Sequence, residues 1–304
     1  MSKPDIGFIG LGIMGEPMAG HIAKAGYRVS VYDVNRPCAE KVAKTHPTVQ
    51  VMESPRAVAE IADIVVSMLP SGKYVREVAL GDAGLIHAFR SGSILLDTSS
   101  CEPWITLDTA RTLASKGVKM VDAPVSGAQI GAIKAELVFM VGGDNESIER
   151  VSPLLSVMGK QVFHLGPIGS GHAMKCINNL ITAVTFLATA EGLTIGRRFG
   201  LDPEVMTDVM NVSTAESWIS RTHIKQRITS RKFDDPFKLG LMVKDIEIAM
   251  QLAGDLNLPL RLSSLNKELW EAAREHGGAD TSVSNLVRWL EHTTGVEIRA
   301  GNNA

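Results

Sequence analysis

The sequence has little cysteine, few aromatic residues and almost no net charge, and each shortage removes a class of protein. Cys38, Cys101 and Cys176 are its only cysteines, an odd and scattered set in 304 residues. Such a set builds neither a disulfide framework nor a Cys-rich zinc site, and it fits a reducing compartment. Lys and Arg number 31 against 33 Asp and Glu, a net charge of -2. That balance argues against nucleic acid or an anionic membrane as the main partner, since both need a basic surface. The longest apolar run, near Leu180–Ala190, falls well short of the roughly 20 residues that span a bilayer. The N-terminus lacks the basic region, apolar core and small-residue cleavage site of a signal peptide. No His, Asp and Glu cluster occurs at ligand spacing, so no metal is expected. Nor is there an internal repeat, or a low-complexity stretch beyond residues 300–304. The expectation is a cytoplasmic protein with neither nucleic acid nor membrane as partner. Hydrophobic residues make up 45% and charged residues 21%, as in globular proteins, and about 150 residues per domain gives two domains.

The first half alternates. Short apolar runs at Ile6–Ile9, Val29–Tyr32, Ile64–Met68, Ile94–Leu96, Lys119–Val121 and Val138–Val141 are separated by helical stretches such as Pro17–Ala25, Pro37–Lys44 and Thr106–Lys116. This pattern predicts an α/β, Rossmann-type doubly wound sheet, parallel and covered on both faces, over residues 1–166. From about Gly166 no strand pattern remains. Leu239, Met242, Ile246, Ala249, Met250 and Ala253 recur at helical spacing, which predicts an all-helical C-terminal domain over 167–299. Asp202-Pro203 and Asp235-Pro236 read as helix starts. The stretch from His172 to Arg197 is apolar on nearly every side, which predicts a buried helix joining the domains or subunits.

Gly10-Leu11-Gly12-Ile13-Met14-Gly15 follows the first strand and opens the first helix. Gly10 suits a tight turn, Gly12 lets a pyrophosphate approach the backbone, and Gly15 lets helix and strand pack closely. The helix N-terminus adds free N–H groups and partial positive charge. Asp33 ends the second strand 18 residues after Gly15. A carboxylate there accepts from ribose hydroxyls and repels a 2′-phosphate, which favours NAD over NADP. Arg36 stands where it can instead accommodate a 2′-phosphate, so NADP stays open.

Two further segments carry chemistry. Asp122-Ala-Pro-Val-Ser126-Gly127-Ala128 follows the strand Lys119–Val121, where open sheets bind ligands. The Ser126 hydroxyl and the Gly127 and Ala128 N–H groups suit a carboxylate. The glycine-rich loop Gly166–Gly171 then feeds a helix bearing Lys175 and Asn179, four apart on one face. A lysine on an apolar helix is costly unless paired or functional. Lys175 can exchange a proton with a substrate oxygen that Asn179 orients. Lys244-Asp245, by composition alone, reads as an exposed charge pair.

Together these segments resemble the β-hydroxyacid dehydrogenases, over nearly the whole chain from Ile6 to Thr294. The residues that carry the likeness are Gly7-Phe-Ile-Gly-Leu-Gly-Ile-Met-Gly-Glu-Pro-Met18, the Asp122–Gly127 segment and the loop leading to Lys175 and Asn179. The resemblance implies that Lys175 is the catalytic acid/base, with Asn179 positioning the substrate. It implies that Ser126, Gly127 and Ala128 hold the substrate carboxylate and that Leu69, Pro70, Ser100 and Lys244 meet the cofactor. Phe237 would line the same cleft. It also implies a homodimer or homotetramer built on the long helix, and a substrate of the 3-hydroxyisobutyrate or 2-hydroxy-3-oxopropionate type. Ala128 and Ala135 stand where the family carries glycine, which leaves the substrate open. An imine reductase is one alternative, and a non-catalytic dinucleotide-binding module another; both generally lack the lysine that Lys175 supplies.

Overall fold

The computed structural model describes residues 3–301, so part of the 300–304 tail lies outside the described residues. The chain divides into two compact units, one ending at Lys175 and the other beginning at Cys176.

The first unit is built on strands β1 (Ile6–Ile9), β2 (Val29–Tyr32), β3 (Val49–Val51), β4 (Ile64–Ser67), β5 (Ile94–Asp97), β6 (Lys119–Asp122), β7 (Val125–Ser126), β8 (Leu137–Gly142) and β9 (Gly159–Gly166). Its helices are α1 (Gly15–Lys24), α2 (Arg36–Thr45), α3 (Pro55–Ile61), α4 (Gly72–Leu80), α5 (Pro103–Ala114), α6 (Ala128–Lys134) and α7 (Asn145–Met158). The strands β3-β2-β1-β4-β5-β6 run parallel in that order. Alternate residues feed two cores. Ile6, Phe8, Ile64, Val66, Ile94 and Leu96 pack into one, and Ile9, Val65 and Leu95 into the other. Burial on both faces is why these strands read as continuous apolar runs.

The order reverses between β1 and β4, and the register Ile9↔Ser67 brings Gly10 and Met68 out at the same level. A ligand crevice belongs at such a switch point. The expectation of a parallel sheet needs correcting beyond β6. There β7 and β8 run antiparallel, and β9 returns parallel to β8.

The second unit holds most of α8 (Ser170–Phe199), then α9 (Pro203–Asn211), α10 (Trp218–Thr222), a π-helical turn (Ile224–Thr229), α11 (Leu239–Asp255), α12 (Arg261–Gly277) and α13 (Asn285–Thr294). Its core gathers Ala183, Phe186, Ala190 and Leu193 of α8 with Leu239, Ile246, Trp270 and Leu286. Asp202 caps α9 as expected, accepting from the Glu204 and Val205 N–H groups.

One helix expectation is corrected. Asp235-Pro236 starts a turn, in which Asp235 accepts the Phe237 N–H at 2.8 Å, and the helix begins at Leu239. Within the single chain α8 leaves Ile177, Ile181, Ile195 and Phe199 exposed. Its 30 residues hold an 18-residue window of mean hydropathy 1.2, long and apolar enough to cross a bilayer by length and composition alone, and 44% of that window is buried inside the protein.

Candidate active site

The glycines of the β1–α1 loop answer to three different constraints. Gly10 has φ +94°, and a Cβ there would sit 2.3 Å from the Met68 carbonyl oxygen. At Gly15 a Cβ would sit 1.8 Å from the Gly10 carbonyl oxygen. Nothing lies within 4 Å of a Cβ built at Gly12, so the backbone there faces open space. Around them Leu11 is buried, Met14 half-buried and Ile13 exposed. At the end of β2, Asp33 Oδ2 accepts the Leu11 N–H at 2.6 Å and Oδ1 accepts the Asn35 N–H at 2.7 Å. Open backbone, a helix N-terminus and a carboxylate at the strand end together fit a dinucleotide. Arg36, the candidate for a 2′-phosphate, is engaged by Glu40 at 2.8 Å and Glu53 at 2.6 Å. Leu69 touches this loop, since its Cδ2 would lie 2.9 Å from a Gly10 Cβ. Its N–H donates to Ser99 Oγ at 2.9 Å. Pro70 is exposed and Ser100 half-buried.

Ser126 ends β7 rather than lying in a plain turn, and Gly127 and Ala128 lead into α6. Gly127 has φ +128° and Ala128 φ +52°. Ala135, closing α6, has φ +55°. Both alanines that replace family glycines therefore sit in the left-handed region, where a side chain costs roughly 1–2 kcal/mol.

The start of α8 rests on a buried polar network. Asp122 Oδ1 accepts the Gly169 N–H at 2.7 Å, and Oδ2 accepts the His172 N–H at 2.8 Å. His172 Nδ1 lies 2.7 Å from Thr106 Oγ1, and Nε2 lies 3.2 Å from the Ser99 carbonyl oxygen. Burial pushes the Asp122 carboxyl above the ordinary carboxylate range, against the pull of His172 and the two N–H donors. Asp97, Cys101 and His172 also bring one possible metal-ligand atom each within 4.8 Å of one another. These atoms serve one another and their neighbours: Cys101 Sγ donates to Asp97 Oδ2 at 3.3 Å, and Asp97 Oδ1 accepts from Ser67 and Ser99. Lys175, half-buried, lies one turn beyond His172.

In the second unit, Asn179 Nδ2 donates to Asp245 Oδ2 at 2.5 Å. Lys244 Nζ lies 3.1 Å from Asp245 Oδ1, with both side chains largely buried. The exposed charge pair expected at Lys244-Asp245 is thus corrected: it is a largely buried pair within α11, and Asp245 joins α11 to α8 through Asn179. A carboxylate only accepts, so it fixes which end of the Asn179 amide faces it. Between Lys175 and Asn179, the Cys176 thiol is pushed up to about 12 by burial and then by Asp245, so it stays protonated. Phe237 is half-buried against the helical core. Sequence reasoning missed Asp97 and Thr106 and read Asp245 as exposed, because Ser67, His172 and Asn179, which they meet, lie 30, 66 and 66 residues away; the one hint was an acidic residue closing a buried strand.

Known proteins share this arrangement. Residues 5–166 match the NAD-binding domain of 6-phosphogluconate dehydrogenase, and 169–290 match the NAD-binding region of NADP-dependent 3-hydroxyisobutyrate dehydrogenase. The 2-(hydroxymethyl)glutarate dehydrogenase of Eubacterium barkeri is 34% identical, over 97% of this chain and 98% of that one. The 3-hydroxyisobutyrate dehydrogenase of Pseudomonas aeruginosa is 35% identical, over 93% and 98% respectively. The solved structure of the Mycobacterium tuberculosis 3-hydroxyisobutyrate dehydrogenase with L-serine superposes with a TM-score of 0.86, at 31% identity and covering 95% and 99%. The chain belongs to the β-hydroxyacid dehydrogenases, oxidoreductases that use NAD or NADP and act on a CH–OH group.

Proposed function

We infer that the protein interconverts a small β-hydroxyacid and its semialdehyde, of the 3-hydroxyisobutyrate or 2-hydroxy-3-oxopropionate type. Residues 1–166 bind the dinucleotide, and 167–299 form the helical domain that serves substrate and assembly. The bound nicotinamide supplies or accepts the hydride at the carbon that carries the oxygen. Lys175 moves the proton: as an ammonium it donates to the carbonyl oxygen, and as an amine it takes the hydroxyl proton in the reverse direction. Asn179 orients that oxygen. Ser126 and the N–H groups of Gly127 and Ala128 hold the acid, so an amide analogue is a poor substrate. Gly10–Gly15, Asp33, Leu69, Pro70, Ser100 and Lys244 serve the cofactor, and Phe237 flanks the substrate. Asp33, with Arg36 engaged by two glutamates, supports NAD over NADP. The exposed isoleucines of α8 support a homodimer or homotetramer built on that helix, and a set of only three scattered cysteines supports a reducing, cytoplasmic setting.

The observation that carries this reading is the pairing of Lys175 and Asn179 one turn apart on α8, with Asp245 fixing the Asn179 amide. Lys175→Ala tests it. General acid–base groups contribute ~10²–10⁴-fold, so kcat falls by that range while NADH still binds. Lys175→Arg does not rescue, because a guanidinium keeps its proton. A Lys175→Ala enzyme within a few-fold of wild type refutes the assignment.

A further inference from the structure

We propose that Asp122 and His172 are positioning residues, which hold the first turn of α8, and with it Lys175, in fixed register with the Leu69–Ser100 region that meets the cofactor. The proposal rests on the assignment of Lys175 as the proton carrier. Both side chains are fully buried. Asp122 accepts two N–H groups at the start of α8, so a carboxylate from β6 caps a helix that begins some 50 residues later. The imidazole then ties the same turn to two other elements. The Ser99 carbonyl can only accept, which puts a proton on Nε2. Nδ1 meets Thr106 of α5.

Ser99 is the pivot. Its Oγ accepts the Leu69 N–H, its own N–H donates to Asp97 Oδ1, and its carbonyl takes His172. One residue therefore touches both the strand end beside the glycine loop and the helix that carries Lys175. The packing leaves little slack. A Cβ at Gly171 would lie 2.2 Å from the Met140 carbonyl oxygen, and one at Gly142 would lie 2.5 Å from Asp122 Oδ1. Lys175 follows His172 by three residues, about 4.5 Å along the axis, so a shift of this turn is passed directly to Nζ. A misplacement of 1 Å at a reacting group costs up to about 10²-fold.

The test is a double-mutant cycle with wild type, Lys175→Ala, His172→Phe and the combined variant. Readouts are kcat in both directions, the NADH dissociation constant by fluorescence and the melting temperature. His172→Phe is expected to lower kcat roughly 10- to 100-fold, with NADH affinity within about threefold. In the Lys175→Ala background the same change costs little further, because no lysine remains to be displaced. His172→Gln, which still offers a donor to the Ser99 carbonyl, recovers part of the loss. Thr106→Val, close in shape, removes the Nδ1 partner together with a hydroxyl contact to the Glu102 carbonyl at the start of its own helix, and repeats the pattern more weakly should His172→Phe fail to fold. An equal loss in both backgrounds means that His172 is merely structural and overturns the proposal, as does an unchanged kcat in folded His172→Phe, or in Thr106→Val if that variant stands in for it. If Lys175→Ala alone is fully active, the lysine assignment fails first and the positioning role falls with it.

Discussion

The β1–α1 loop predicts opposite outcomes for two substitutions that look alike, Gly12→Ala and Gly15→Ala. At Gly12 a new methyl meets nothing within 4 Å, and φ lies outside the left-handed range. Replacing glycine at a compatible position stabilises by about 0.4–1 kcal/mol through the unfolded chain. The melting temperature of Gly12→Ala in the absence of cofactor is therefore unchanged or slightly raised. The same methyl occupies the open ground where a pyrophosphate approaches the backbone. Losing one charge-assisted hydrogen bond costs about 1.5–3 kcal/mol, so the NADH dissociation constant rises roughly 10- to 150-fold.

At Gly15 the methyl would lie 1.8 Å from a backbone oxygen, which no rotamer change relieves. Either α1 lifts from β1 or the loop opens. Overpacking of this kind costs about 1–3 kcal/mol or more, which lowers the melting temperature by roughly 2–12 °C. Thermal melts with and without NADH, and a fluorescence titration, separate the two. NADH binding by Gly12→Ala within about threefold of wild type would falsify the phosphate role of this loop. A Gly15→Ala protein that melts with wild type would refute the packing argument.

Three further outcomes follow from single residues. Asp33→Ala removes both the repulsion of a 2′-phosphate and the Leu11 N–H acceptor; the NAD-over-NADP ratio of kcat/KM falls about tenfold or more, and a wild-type preference for NADP contradicts the assignment. Ala135→Gly relieves a left-handed alanine at φ +55°, a gain of roughly 1–2 kcal/mol less about 0.4–1 for glycine's freedom when unfolded; a lower melting temperature would show that the alanine is not strained. Asp144 caps α7, and its carboxyl is held below the ordinary range by the Ser147 N–H, against its partial burial. A lowered carboxyl stabilises fully above the ordinary carboxylate pKa and loses that contribution as pH falls through the folded value. Asp144→Ala therefore costs about 1 kcal/mol at pH 7, and the gap to wild type narrows below about pH 4; a gap constant with pH refutes the charge contribution.

What was legible in the sequence follows the range of the forces involved. Strands β1, β4 and β5 are buried on both faces, so Ile6–Ile9, Ile64–Val66 and Ile94–Leu96 carry no polar side chain and each run stands out. The loop glycines and the Asp202 cap work through local backbone geometry, and local geometry leaves a mark at fixed spacing. Strand β9 escaped notice because it is held by backbone pairing to β8 while Val162, Phe163 and Leu165 stay exposed. The three-residue β3 is too short for any period. Lys244 looked like solvated charge because nothing near it in sequence says that Asp245 faces Asn179, 66 residues away. The long helix is apolar on nearly every side, and within one chain only one side finds a core.

Energetics bear on the Asp122–His172 network as well. Asp97 and Asp122 are register partners at the ends of adjacent strands, and both are fully buried. His172 Nε2 lies 3.6 Å from Asp97 and Nδ1 lies 3.8 Å from Asp122. Two carboxylates side by side in a core repel, and each forfeits hydration that several kcal/mol of pairing must offset. Apolar residues of similar volume would commonly hold the sheet as well or better. Stability alone is therefore a weak ground for this arrangement. Direction is a stronger one, because two carboxylates and an imidazole admit few geometries, whereas apolar packing tolerates sliding. The turn they fix is the one that precedes Lys175, where a displacement too small to unfold the protein is large enough to slow a proton transfer.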